Sequence, residues 1–372
     1  MNKRRVPIIV LTMAILTLFS SCHVGRYFYR NVADTGDHKR FPAYTVKCAP
    51  PVFNFAKASD EQPPILPEAY NAKGKYTDFT DFLEEHKNLS FLLIRKDSIL
   101  YERYFDGYDR VSITPGFSLA KIFVSALIGI AVQEGYIQSV DQTVSDFLPE
   151  MKDPGFKNVT IENLLNMRAG IKFSETYFNP FGHAAKFYYG NNLSKYVYNL
   201  KVNKTPGAEY HYCSANTEIL AMIIERTTGK SFTAYFEEKI WSRLGMEFDA
   251  TWNYDSEKHG MVKAFCCLNA CPEDFAKFGR LYLNNGNWEG KQIVPEAWVK
   301  HSMSIHNDSR DSQNYPYSYF WRVLESGSVF GKGILGQYIY LNTARNLIIV
   351  KFGKKDAGIN WPELFEEIAK QY

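Results

Sequence analysis

From Phe117 to Glu134 the chain is apolar on every side of a helix except for one polar stripe, Ser118, Lys121 and Ser125. Leu119, Ile122, Phe123, Ala126, Leu127, Ile130 and Ala131 recur at helical spacing, and Val124 and Ile128 make the opposite side apolar too. A helix without a solvent face has to be central, so the fold must be built around it. The 372 residues, 45% of them hydrophobic, are enough for one large domain or two interleaved domains to enclose it. A lysine in such a helix needs a reason, because a buried ammonium is costly unless it is paired or gives up its proton. Residues three apart share a helix face, which sets the Lys121 amine near the Ser118 hydroxyl. Pro115-Gly116 suits a turn into a helix N-terminus, where an oxyanion formed at Ser118 would meet the positive end of the helix dipole. The competing reading is an interior helix whose lysine snorkels to water.

Asn2-Lys3-Arg4-Arg5, the apolar run Val6 to Phe19 and Ser20-Ser21-Cys22 form a charged head, a hydrophobic stretch and a small-residue cleavage site. Residues 1–21 are therefore expected to be a signal peptide, and export is expected with it. The apolar run is short for a membrane span, which needs roughly 20 residues. Formal net charge is only +3 and no long basic run follows, so nucleic acid is not an expected partner. Beyond Cys22 the cysteines are Cys48, Cys213, Cys266, Cys267 and Cys271, without zinc-ribbon or redox spacing. They read mostly as core residues. An exported location permits a disulfide, although sequence does not say which pair would form it.

Residues 22–75, rich in Pro, Asn and charge, read as a tether and an irregular wrap, and residues 76–372 as the folded unit. Ser90 to Ile94 and Ile99 to Phe105 are β-rich and joined by a hairpin turn. Helical pattern then dominates residues 137–260, including Thr160 to Met167 and Thr217 to Thr228, and another helix is predicted from Pro272 to Asn284. Tyr317 to Leu324, Gln337 to Leu341 and Leu347 to Phe352 follow as strands, and Trp361, Leu364, Phe365 and Ile368 as an amphipathic helix. Two early strands and three late ones predict an α+β domain: one antiparallel sheet of about five strands flanked by helices, with a mostly helical insertion.

A serine nucleophile needs a base and donors for the oxyanion. Thr205 to Asn216, with its Pro-Gly, aromatic and Tyr212-Cys213-Ser214 order, followed by Ile223-Ile224-Glu225-Arg226 and Gly229, resembles the second motif of the serine β-lactamase and penicillin-binding-protein superfamily. The resemblance is to the Tyr-x-Asn form of class C enzymes and related esterases, with Ser214 in place of the asparagine. Thr160 to Gly170, Phe275 to Leu283 and Pro295 to Trp298 are similar to further family segments. On this resemblance Ser118 is the nucleophile, and Lys121 and Tyr212 are the proton-transfer groups. A phenol serves as a base at neutral pH only if a nearby cation stabilises the phenolate, so the two motifs need each other. The third motif, normally Lys-Thr-Gly or His-x-Gly, is replaced by Gly333-Ile334-Leu335-Gly336-Gln337, as in the branch resembling aminohexanoate-dimer hydrolases.

The resemblance implies a β-lactamase/transpeptidase-like fold, an oxyanion hole from the Ser118 and Ile334 amides, and supporting roles for Ser214, Gly333 and Gly336. It implies a small-molecule ester, amide or peptide substrate and neither metal nor organic cofactor. A cysteine directly after small residues resembles a bacterial lipoprotein signal, which would make Cys22 the lipidated first residue, held to the membrane on the periplasmic side of the cell envelope. Loss of the cationic third motif argues against β-lactams, and Lys332 reads as a partial replacement or a solvated strand-end lysine. His211 reads as a loop histidine, and Tyr188 and Tyr189 as packing aromatics. Two alternatives remain: a cell-envelope binding or sensor protein with little turnover, and a D-amino-acid peptidase or weak β-lactamase. An α/β-hydrolase elbow at Gly116 to Ala120 is disfavoured because no continuous apolar strand precedes it.

Overall fold

A computed structural model describes residues 23–30, 32–71 and 74–372. The expected signal peptide and Cys22 lie outside them. Among the described residues, no helix is long and apolar enough to cross a membrane.

The main sheet joins both ends of the folded unit, as the strand pattern predicts. Its strands are β1 (Ala56–Lys57), β2 (Asn88–Arg95), β3 (Ser98–Tyr104), β4 (Tyr317–Ser318), β5 (Trp321–Val323), β6 (Val329–Gly333), β7 (Gln337–Asn342) and β8 (Leu347–Gly353). They run in the order β4-β5-β6-β7-β8-β2-β3-β1, antiparallel except for the β1–β3 pair. Eight strands replace the expected five. β1 is only two residues long, the stretch from Tyr317 to Leu324 folds back on itself as β4 and β5, and the glycines of Val329–Gly333 hide β6 from a propensity reading.

Both faces of the sheet are covered, which is why its central strands read as continuous apolar runs rather than as alternation. Phe91, Leu93, Tyr338, Tyr340 and Ile349 pack with α1 (Phe79–Glu85) and α8 (Trp361–Ala369). Leu92, Ile94, Ile339, Leu341 and Val350 face the larger core, which holds α2 (Ala120–Gln133) and α6 (Pro272–Leu283). The predicted central helix is real and buried along nearly its whole length. Phe123 stacks on Phe278 with ring centroids 3.8 Å apart, and a Cβ on Gly129 would lie 2.5 Å from the Trp298 ring. Gly135, at φ +77°, follows the end of the helix as expected.

The inserted region carries α3 (Ile161–Leu165), α4 (His183–Tyr189) and α5 (Ser214–Thr228), closed by Gly229 at φ +68°. It also contains a strand, Ala250–Asn253, in a second, four-stranded sheet with Ala43–Val46, Leu268–Ala270 and Thr114–Pro115. The N-terminal wrap thus contributes a strand to each sheet, and its helix His23–Arg30 docks on α4, where the Arg26 guanidinium donates to the Tyr189 carbonyl. α7 (Glu296–Ser302) precedes the loop leading to β4.

Candidate active site

The turn that presents Ser118 is built by its neighbours. The Gly116 amide donates to the Leu268 carbonyl at 2.9 Å, Phe117 is held at φ +47°, and Phe117–Leu119 form one 3-10 turn leading into α2. A positive φ on phenylalanine is unfavourable and persists only where surrounding packing dictates it. Phe117 is fully packed in the core, so the strain is held by burial.

Lys121, 2% exposed, is sheltered from bulk solvent and is held by three oxygens. Its Nζ donates to the Phe265 carbonyl at 2.6 Å, to Ser118 Oγ at 3.1 Å and to Ser214 Oγ at 3.4 Å. The amine is therefore buried and paired, and it does not snorkel. Ser214, first residue of α5, donates its hydroxyl to Glu175 at 2.6 Å and its amide to the other Glu175 oxygen at 3.0 Å. Tyr177 donates to the same carboxylate at 2.8 Å; burial, with Glu175 beside it, pushes its phenol well above the usual range and keeps it a donor. Glu175 and the Phe265 carbonyl were not legible in the sequence, since neither belongs to a motif and both depend on loops folding back over α2.

Tyr212 lies on the extended segment before α5, its ring centroid 5.2 Å from Lys121 Nζ. It lines the same cavity as Ser118, but among the described residues its hydroxyl makes no hydrogen bond. Ser118, Lys121 and Ser214 are thus in direct contact, and Tyr212 is beside them with its hydroxyl uncommitted. Ser125 bonds neither Lys121 nor its own helix; its hydroxyl is buried without a partner among the described residues. His211 lines the cavity as well, despite the alternation expected of an extended segment. Tyr188 and Tyr189 are buried packing aromatics, with the Tyr188 hydroxyl donating to Asp37 at 2.8 Å.

The Gly333 backbone lies against the nucleophile turn: a Cβ there would meet the Gly116 carbonyl oxygen at 2.4 Å and Phe117 Cβ at 3.3 Å. β5 pairs only with Val329 and Phe330, so the far end of β6 is unpaired on that side. Ile334 follows directly and lines the cavity with Ser118. Leu335 and Gly336, at φ +66° and +83°, close the tight hairpin to β7, and a Cβ on Gly336 would lie 2.7 Å from Lys351 Nζ. Lys332 is partly buried and paired: it meets Asp356 at 3.0 Å and donates to Gln313 at 3.1 Å at the cavity wall. The cavity, about 550 Å³, is lined by Ser118, Glu175, Tyr210, Arg310, Arg322 and Lys332 among others.

Cys266 and Cys267 form a disulfide between adjacent residues, and Cys266 reaches the inner end of the cleft beside Ser214 and Ile334. Cys48, Cys213 and Cys271 are free, and the last two are buried core residues.

The family model described as Beta-lactamase matches residues 79–360. The chain belongs to the β-lactamase family. Within this family it is similar to the 6-aminohexanoate-dimer hydrolase of Paenarthrobacter ureafaciens, 26% identical over 306 residues that cover 77% of this chain and 76% of the relative. Among solved structures, the "Putative 6-aminohexanoate-dimer hydrolase from Bacillus anthracis" aligns at a TM-score of 0.78 with 26% identity, covering 91% of this chain and 92% of that one. A penicillin-binding protein of Bacillus halodurans shares the fold at a TM-score of 0.62 and 16% identity, covering 78% of this chain and 98% of the other. This β-lactamase-family protein is a serine hydrolase, and its antiparallel sheets flanked by helices are those of the β-lactamase/transpeptidase fold.

Proposed function

We propose that this serine hydrolase cleaves short esters or linear amides through an acyl-enzyme on Ser118. The observation that carries the reading is the Lys121 amine, fixed by the Phe265 carbonyl and Ser214, bonded to Ser118 Oγ at 3.1 Å within an open cavity. Ser118 Oγ bonds to the substrate carbonyl carbon while the carbonyl π pair moves onto oxygen, facing the Ser118 and Ile334 amides. The serine proton passes into the Lys121–Tyr212 pair, which takes up one proton in all, and Tyr212 returns it to the departing alkoxide or amine as the scissile bond breaks and the carbonyl re-forms. Water then repeats the sequence and frees the acid. The Tyr212 ring centroid lies 5.2 Å from Lys121 Nζ, and a hydroxyl that bonds nothing among the described residues is in keeping with catalytic hydrogen bonds that close only around substrate. Glu175, through Ser214, is a positioning residue for Lys121.

Linear amides with charged ends suit a cavity lined by Arg310, Lys332 and Glu175, and the similarity to 6-aminohexanoate-dimer hydrolases supports that class. Export and attachment through Cys22 to the periplasmic side of the cell envelope are proposed from the N-terminal pattern alone. The uncommitted Tyr212 hydroxyl favours a second reading, a binding or sensor protein with little turnover. A fluorophosphonate probe tests both: it should label the protein at Ser118 and fail on Ser118→Ala. Absence of labelling, or labelling elsewhere, would support the sensor. Turnover of p-nitrophenyl esters, aminohexanoate dimer and nitrocefin, compared side by side, assigns the substrate class.

A further inference from the structure

We propose that Glu162, His301 and His306 bind one divalent transition-metal ion of the zinc class and so pin the loop that walls the catalytic cavity. One ring nitrogen of each histidine and one Glu162 oxygen lie within 4.8 Å of one another, with His306 Nε2 3.9 Å from Glu162 Oε1. Zinc bonds of about 2.0 Å in tetrahedral array set ligand atoms about 3.3 Å apart, so closure needs ligand atoms to approach by up to about 1.5 Å. His306 lies on the exposed loop, with its side chain 20% exposed and its ring centroid 3.6 Å from that of His301.

Three features beyond proximity point to a metal. His301 Nε2 is buried and has no hydrogen-bond partner among the described residues, which is costly for a group with nothing to bind. The other nitrogen of His306, Nδ1, lies 3.2 Å from the Ser304 carbonyl and 3.3 Å from Ser318 Oγ, contacts that fix the tautomer leaving Nε2 as an acceptor facing Glu162. The Glu162 carboxylate is itself oriented by Asn166 Nδ2 at 2.6 Å and by the Tyr319 hydroxyl. Such outer contacts typically aim metal ligands. Two imidazoles and one carboxylate, with the exposed side open to water, are a common three-ligand zinc set.

The ligands come from α3, the end of α7 and the loop after it. That loop continues through Asp308, paired with Arg168, and Ser309, bonded to the Asn166 carbonyl, to Arg310 and Asp311 of the cavity wall. A bound ion would tie the wall to α3 at one more point.

The test is titration of chelator-treated full-length protein with zinc chloride by calorimetry and thermal denaturation, with cobalt(II) absorption as a ligand-field readout. Wild type should bind one zinc per chain, melt at a higher temperature when loaded, and give visible bands with cobalt. His306→Ala and Glu162→Gln should each weaken binding at least tenfold and lose the zinc-induced rise in melting temperature, each variant being scored against its own metal-free midpoint because His306 touches Ser318 and Glu162 accepts from both Asn166 and Tyr319. No saturable one-to-one binding in wild type, or undiminished binding by both variants, overturns the proposal.

Discussion

Gly333→Ala probes the proposed oxyanion hole through the backbone alone. The added Cβ would sit 2.4 Å from the Gly116 carbonyl oxygen, where an ordinary contact requires about 3.4 Å, so β6 and the serine turn must separate by about 1 Å. Neither side yields easily: Gly116 is bonded to Leu268, and Gly333 is paired with Gln337 in the β6–β7 ladder. Over-packing of this kind costs about 1–3 kcal/mol of stability. The Ile334 amide moves with Gly333, and losing one oxyanion donor lowers kcat about 100- to 1,000-fold. Gly331→Ala is the internal control. Its Cβ would meet only the tips of Leu119 and Ile122, at 3.0 and 3.2 Å, which can rotate away. The assay is kcat on a p-nitrophenyl ester together with the thermal midpoint of each variant. If Gly333→Ala keeps more than a tenth of wild-type kcat, or if Gly331→Ala loses as much, the placement of the oxyanion amide beside Gly333 is wrong.

Tyr212→Phe should lower kcat by about 100-fold or more with little change in melting temperature, since it removes a proton-transfer hydroxyl that bonds nothing among the described residues; unchanged kcat would remove Tyr212 from the mechanism. Glu175→Gln should reduce kcat and shift the pH–rate profile by loosening Ser214 from Lys121, an effect that a purely structural Glu175 would not have on the profile. Lys351 is fully buried, and burial, helped by Lys332, lowers its pKa to about 7, while Asp356 opposes the shift. Between that value and the ordinary lysine range the unfolded chain holds a proton that the folded chain lacks, so stability rises with pH there by about 1.4 kcal/mol per unit and is lowest below pH 7. Lys351→Met should remove that slope in urea titrations from pH 6 to 9, and an identical slope in the variant would show that another group is responsible. Lys277→Met removes the partner of the fully buried Asp274 at 2.9 Å and should cost about 3–5 kcal/mol in urea unfolding; a loss below 1 kcal/mol would mean that the Glu247 and Phe248 amides and the Cys271 thiol satisfy the carboxylate without it.

The sequence by itself determined the buried helix with its Ser118 and Lys121, because three-residue spacing on a helix makes them neighbours whatever the rest of the fold does. It also determined the long central strands β2, β7 and β8, whose apolar runs admit no other burial. Tyr212 and Ser214 were legible only as a motif: nothing local says that the segment before α5 must lie over α2. Tertiary structure alone decided what holds the lysine. The Phe265 carbonyl is 144 residues away and Ser214 is 93, and Glu175 is bonded to Ser214 in turn. It likewise decided that β6, too rich in glycine to read as a strand, lies against the serine turn, and that His301, His306 and Glu162 converge. Local periodicity encodes which face of an element is buried, whereas the partner of a buried polar group is chosen by where distant loops come to rest.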